Sequence, residues 1–168
     1  VMVDEALAMF AGAPVFDENR KVIAAFAFRI DPSLSFTSIL QQGRIGDSGE
    51  TYAFNSEGLM ISLSRYDDQL RDIGLLEESQ QGIMNVRLLD PGLNLLNGER
   101  SNTPIVEQPL TYSVNQALEG RAGVNVDGYR DYRGVPVVGA WVWDSALDIG
   151  ITTEVDIDEA YESLFYIR

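Results

Sequence analysis

The stretch "GYRDYRGVPVVGAWVW", residues 128–143, constrains the fold more than any other. Valine and tryptophan fit a pleated, half-buried surface, so "VPVVGAWVW" reads as a strand. The "RG" pair in front of it is a turn signal, which makes the stretch an antiparallel hairpin. Alternation places Val135, Val137, Gly139, Trp141 and Trp143 on one face and Pro136, Val138, Ala140 and Val142 on the other. Both faces are apolar, so the expectation is an interior strand covered on both sides. The same alternation sends Tyr129 and Tyr132 to opposite faces, so that at most one shares the side of the tryptophans. It leaves Asp131 and Arg133 at a solvated tip.

The remaining segments repeat the hairpin theme. "APVFD" and "KVIAAFAFRID" flank the polar turn "DENRK", and "ETYAFN" and "LMISLSR" flank "SEG". "EALAMF", residues 5–10, predicts a short helix ending near Gly12. Helices are also predicted over "PSLSFTSILQQG", with Asp31 ahead of its proline, over "YDDQLRDIGLLEE" and over "PLTYSVNQALEG". Residues 80–109 are rich in glycine and proline and read as a long, largely irregular insertion. "LDIGITTEV" adds a strand, and "DIDEAYESLFYIR" a closing helix in which Asp156 and Glu159 form a capping box and Leu164 and Phe165 pack against the sheet. Hairpin-joined strands with helices between them argue for an α+β fold with an antiparallel sheet.

Composition removes several functions. The chain has no cysteine and no histidine, which leaves no disulfide framework, thiolate nucleophile, cysteine zinc site or histidine-based triad. A net charge of -14 opposes binding to nucleic acid or to an anionic membrane surface. Phosphate-cradling glycine loops and EF-hand loops are missing. The apolar runs are about half the ~20 residues that a membrane-spanning helix needs. With no initiator methionine and no signal peptide, the chain reads as a piece of a longer polypeptide.

The candidate residues each have two readings. Arg65, at the end of a partly apolar strand, suits two-pronged binding of a carboxylate or a surface ion pair with Asp67 or Asp68. Trp141 or Trp143, with one tyrosine and the gap at Gly139, suits the wall of a small-molecule pocket or a packed core. Glu154, Asp156 and Asp158 suit a cation site or a strand running into a helix with acids in its first turn. Ser62 and Ser64, without a histidine or a neighbouring lysine, read as polar strand positions. No metal site and no cofactor are expected, and an enzyme, such as a carboxylate-based hydrolase, ranks last.

"GRIGDSGETYAFNSEGLMISLSR", "GYRDYRGVPVVGAWVW" and "LDIGITTEVDIDEAY" together resemble a Cache domain, the PAS-like extracytoplasmic sensor module of bacterial transmembrane receptors. The resemblance covers residues 43–166 and is greatest to membrane-proximal modules of tandem receptors with kinase or cyclase output. It implies a five-stranded antiparallel sheet flanked by helices, over residues 43–168. Residues 1–42 would be the closing hairpin and exit helix of a membrane-distal module. It also implies periplasmic or extracellular location, anchoring through membrane segments outside this sequence, a possible homodimer and a small-molecule ligand. The amino-acid-binding pattern of tandem Cache domains is not matched in order or spacing, so its ligand residues do not carry over. The residues expected at a pocket are Arg65 for an anionic group, Trp141 for an apolar wall, and Tyr129 or Tyr132 for a hydrogen bond. The competing expectation is a structural spacer and dimerisation module that binds nothing.

Overall fold

The computed structural model describes residues 2–3 and 6–162. Its centre is a four-stranded antiparallel sheet of β5 (Glu50–Phe54), β6 (Gly123–Arg130), β7 (Pro136–Asp144) and β8 (Ile149–Asp156), in the order β5-β8-β7-β6. The α+β class is as the sequence predicts. The strand count is four rather than five, because the segment expected as a strand over 59–65 pairs only at isolated bridges, Phe54 with Met60 and Leu59 with Arg87. Its ladder to β5 stops where a side chain takes the place of a backbone acceptor. Ile61 N donates to Ala53 O at 2.8 Å, but Ala53 N donates to Ser62 Oγ at 3.1 Å.

One face of this sheet carries the core. Tyr52, Phe54 and Trp141 reach it from the strands, Tyr132 from the turn after β6, and Met60 from the segment that follows β5. The 80–109 insertion contributes Val86 and Leu88. Two short helices close it, α2 (Asp67–Asp72), which buries Leu70, and α3 (Tyr112–Leu118), which buries Ser113, Val114 and Ala117 and lies against β6, β7 and β8. Both sit where the apolar spacing predicts. Residues 80–109 cross the structure with only bridges and two 3-10 turns, Leu95–Asn97 and Ile105–Glu107, as expected of an insertion so rich in breakers.

The opposite face of the sheet is uncovered at β6 and β7: Val124, Val126, Pro136, Ala140 and Val142 are exposed. The expectation that the "VPVVGAWVW" strand is covered on both sides is therefore corrected. β7 is interior to the sheet, between β6 and β8, yet only Val137 and Trp141 on one side are buried. Apolar residues on both faces suit an interior strand, but they do not supply the second layer that would cover it.

The N-terminal part forms a separate ribbon. β1 (Met2–Val3) pairs with β2 (Ala6–Leu7), and β3 (Met9–Phe16) pairs with β4 (Val22–Ile30). The β3–β4 hairpin is the one predicted, and Asp17 shapes its turn by accepting from Asn19 N and Lys21 N, both at 2.9 Å. The helix predicted over 5–10 is not formed, because Met9 and Phe10 extend the ladder and pair with Ile30 and Arg29. After β4, Asp31 accepts from Ser33 N and Leu34 N and starts a wide π-type turn, Pro32–Phe36, that runs into α1 (Thr37–Gln41). α1 packs beside β5. The closing helix begins as α4 (Ile157–Ala160). Leu164 and Phe165 lie outside the described residues.

Candidate functional site

β5 and β8 pair so that Glu50 stands opposite Glu154, and both are buried, at 2% and 3% exposure. Like charges directly opposite one another in a sheet are unfavourable, and burial away from water adds to the cost. Hydroxyl groups offset it. Glu154 accepts from Tyr52 OH at 2.9 Å, Tyr129 OH at 2.8 Å and Ser113 Oγ at 3.1 Å. Glu50 accepts from Tyr132 OH at 2.6 Å, Ser64 Oγ at 2.8 Å and Arg65 N at 2.6 Å. The Tyr52 and Tyr132 rings meet edge to face at 5.6 Å and so join the two halves. Burial, reinforced by the charge of Asp131, pushes the Glu154 carboxyl up to about 8, against the pull of its hydroxyl donors.

Gly139 makes room for this arrangement. It pairs with Glu154 across the β7–β8 ladder, and a Cβ there would strike the Tyr129 hydroxyl and the Glu154 side chain. The gap foreseen at Gly139 is thus filled by a tyrosine–carboxylate hydrogen bond. At the outer edge of the cluster, Tyr112, Tyr129 and Trp141 pack against one another with ring centroids 5.4–6.0 Å apart. Tyr112 is 46% exposed, and Trp141 donates from Nε1 to Arg121 O at 2.7 Å.

A second polar group sits beside the first. The turn after β6 is held by Asp131, whose Oδ1 accepts from Arg133 N at 2.8 Å and Val135 N at 2.9 Å. Arg133 then folds inward. Its guanidinium donates to Asp131 at 2.7 Å, Gln69 at 2.9 Å and Asp156 at 3.0 Å, and lies 3.5 Å from the centre of the Tyr66 ring. Burial alone would lower the Arg133 pKa, but the charge of Asp131 keeps it raised, whereas burial pushes Asp131 up to about 6 against the pull of Arg133. The solvated tip expected at Asp131 and Arg133 is corrected: both are 2% exposed. A charged pair with this many partners can be buried, and the partners come from α2 and β8, far away in sequence.

Tyr132 also departs from the alternation argument. Tyr129 is the last core-facing residue of β6, and Tyr132 lies in the turn, where strand alternation no longer applies. Both tyrosines consequently reach the same core as Trp141. Arg65 stands apart from it. Its guanidinium donates to Gly49 O at 2.7 Å and Gly46 O at 3.4 Å, so it fastens the turn before β5, while Asp68 pairs with Arg71 and Asp67 accepts from Gly82 N.

The acidic run at the end of β8 and the start of α4 divides by role. Glu154 belongs to the tyrosine cluster, Asp156 to Arg133, and Asp158 is exposed. Among the described residues no group of acids is arranged to hold a metal ion. The expected capping box is corrected: Asp156 makes no side-chain cap, and Glu159 reaches instead to Asp47 N and Ser48 N, both at 2.7 Å, and to Ser48 Oγ. Ser62 and Ser64 are buried polar positions that hydrogen-bond to Ala53 N and to Glu50, although their segment is not a continuous strand.

Two open surface clefts lie away from these groups. One of about 310 Å³ is lined by Gln69, Ile73, Leu95, Leu96 and residues 98–100, and one of about 620 Å³ by Glu57, Arg87 and Leu110. Neither is lined by Arg65, Tyr129, Tyr132 or Trp141.

No protein-family profile and no curated protein matches the chain. Solved structures do match. The fold is similar to the extracellular domain of the "putative histidine kinase mmHK1S-Z3", with a TM-score of 0.56 and 13% identity, over 100% of this chain and 51% of that one. It is also similar to the extracellular domain of mmHK1S-Z2, with a TM-score of 0.51 and 13% identity, over 94% of this chain and 49% of that one. The chain spans about half the length of these structures, and what it shares with them is the fold.

Proposed function

We propose that the chain is part of the sensory ectodomain of a membrane-anchored bacterial receptor, a Cache-type module on the periplasmic or extracellular side. The observation that carries this reading is the fold shared with extracellular domains of histidine kinases. Residues 43–168 are the sensor module. Residues 1–42 are the end of a second module, a division supported by the β3–β4 ribbon, whose Phe10, Phe16, Ile23, Phe26 and Phe28 are exposed. A lone two-stranded ribbon is marginally stable in water, so this one is read as part of a larger sheet.

The module itself binds and transmits rather than catalyses. Its ligand site is the core-facing side of β7 and β8, with Tyr129 and Trp141 at the outer edge and Tyr132 deeper. Arg65 acts there through the turn it fastens. Binding shifts the packing of α3 and of the turn before β5, and α4 carries the shift toward the membrane. The spacer reading is favoured by one observation, the satisfied and closely packed state of the cluster.

Fusions of alkaline phosphatase and of a cytoplasm-dependent fluorescent protein after residue 168, in the natural gene, test the location. An active phosphatase and a dark fluorescent protein are expected, and the reverse pattern overturns the reading. A metabolite screen by thermal shift tests sensing, since a ligand at 100 times its Kd stabilises by about 2.7 kcal/mol. A flat screen, both on this chain and on one extended upstream, leaves the spacer.

A further inference from the structure

We propose that Glu159 is a releasable latch: its carboxylate closes on the turn 46–48 that leads into β5, and Ser48 sets whether it holds, according to the packing around Arg133. The latch rests on the sensory reading and deepens it by naming the contact through which the core holds or frees α4.

The first observation is a receptor for a carboxylate built from backbone. Gly46 has a left-handed φ of 61°, and the N–H groups of the next two residues turn toward one carboxylate. Glu159 Oε1 accepts from Asp47 N and Oε2 from Ser48 N, both at 2.7 Å, and Oε2 also accepts from Ser48 Oγ. A Cβ on Gly46 would strike the Glu159 carboxylate, so glycine is required there. The Ser48 hydroxyl and the two amides hold the Glu159 carboxyl below its ordinary value of 4.5. Arg65 donates to Gly49 O at 2.7 Å and to Gly46 O at 3.4 Å, which shapes the turn independently of Glu159.

The second observation is how little else fastens α4. It has four residues and no side-chain cap, and a helix so short does not stand by itself. Tyr161, just past it, donates to Val126 O at 2.5 Å. Glu159 is partly exposed, where water competes for its donors, so its bonds are of the kind that break and re-form.

The third observation is that Ser48 is a junction. Its N and Oγ donate to Glu159, its Oγ accepts from Asp156 N at 3.1 Å, and its carbonyl accepts from Tyr66 OH. The Tyr66 ring lies under the Arg133 guanidinium, 3.5 Å away, and Arg133 also donates to Asp156 at 3.0 Å. Ser48 is thus reached from Arg133 by two routes, Tyr66 and Asp156. Arg133 in turn is held by Asp131 in the turn after β6 and by Gln69 of α2. A shift in how these elements pack therefore reaches the donors of the latch, and a two-state contact biased from both sides is what coupling requires.

Amide hydrogen exchange of the 168-residue chain, followed residue by residue by NMR, tests the latch. In the parent, the Asp47 and Ser48 amides should exchange about 100-fold faster than those of β8, because the latch opens without global unfolding. Glu159→Ala should speed both by about a further 10-fold. Tyr66→Phe keeps the ring for Arg133 and touches neither amide, yet it should speed them by about 3-fold. Asp158→Asn, which removes an exposed acid from the same helix, should leave them as in the parent. If E159A does not fold, the parent rates and Y66F decide. Exchange at 47 and 48 as slow as in β8, equal rates in the parent and E159A, no effect of Y66F, or an effect of D158N equal to that of E159A overturns the proposal. If the latch fails while the fusions report the expected location, the coupling is wrong and the sensory reading stands. If the latch holds while the fusions report a cytoplasmic location, the latch stands and the sensory reading falls.

Discussion

The β3–β4 ribbon and the β5–β8 sheet are built from similar strands and end in opposite states. Both are antiparallel, and both are rich in valine, alanine and aromatic residues. In the ribbon Val15, Val22, Ile23, Phe26 and Phe28 are exposed, whereas in the sheet Tyr52, Phe54, Val137 and Trp141 are buried. Strand composition decides pairing, and cover decides burial. The sheet has α2, α3 and the 80–109 insertion on its inner face, and it uses that cover to bury even charged groups.

The comparison can be broken most directly at Arg133. Removing it by Arg133→Met leaves Asp131 buried without its partner and should cost about 3–5 kcal/mol in chemical denaturation. A loss below about 1 kcal/mol would mean that water reaches the Asp131 turn. The ribbon makes the opposite prediction. Phe26→Ser should change the stability of this chain by less than about 0.5 kcal/mol, as expected of an exposed site. In a chain extended upstream it should cost about 2 kcal/mol or more, since a second module would bury the ring. Equal, small effects in both chains would end the two-module reading.

A third effect is read along the pH axis. Glu154 holds its proton in the folded state up to about 8, while the unfolded group loses it near its ordinary value of 4.5. The folded state therefore carries the extra proton between these values, and stability falls as pH rises through them. The slope is about 1.4 kcal/mol per pH unit for one group. Asp131 adds to the fall between 3.8 and about 6, so the range from 6 to 8 isolates Glu154. Denaturation of E154Q over that range should be flatter than that of the parent, and parallel profiles would remove the buried-proton account. A smaller effect than those at Arg133 and Glu154 is expected at Arg65, where Arg65→Ala should cost about 1 kcal/mol through the turn carbonyls it leaves unbonded.

Much of the architecture was legible because it is local. The three C-terminal strands, the β3–β4 hairpin, α2 and α3 follow from alternation, apolar spacing and turn residues. The misreadings arise where distant groups decide. Nothing near Arg133 in sequence announces Gln69, Tyr66 and Asp156, which make its burial possible. On β8 the more apolar side, Ile151 and Val155, is only partly buried, while Thr152 and Glu154 face the core. A hydropathy argument inverts this strand, because the hydroxyls that satisfy Glu154 come from β5, α3 and β6. Glu50 could have been noticed only through its pairing with Glu154, which the sequence does not print.

The reach of Glu159 has a mechanical side. By gripping Asp47 and Ser48 it ties the first turn of α4 to the loop that enters β5, and Glu50, two residues on, is anchored to Tyr132. Core and closing helix are thus linked by the four residues 47–50, like a short tether between a spring and a lever. Lengthening that tether by one residue should let the core rearrange while α4 stays still.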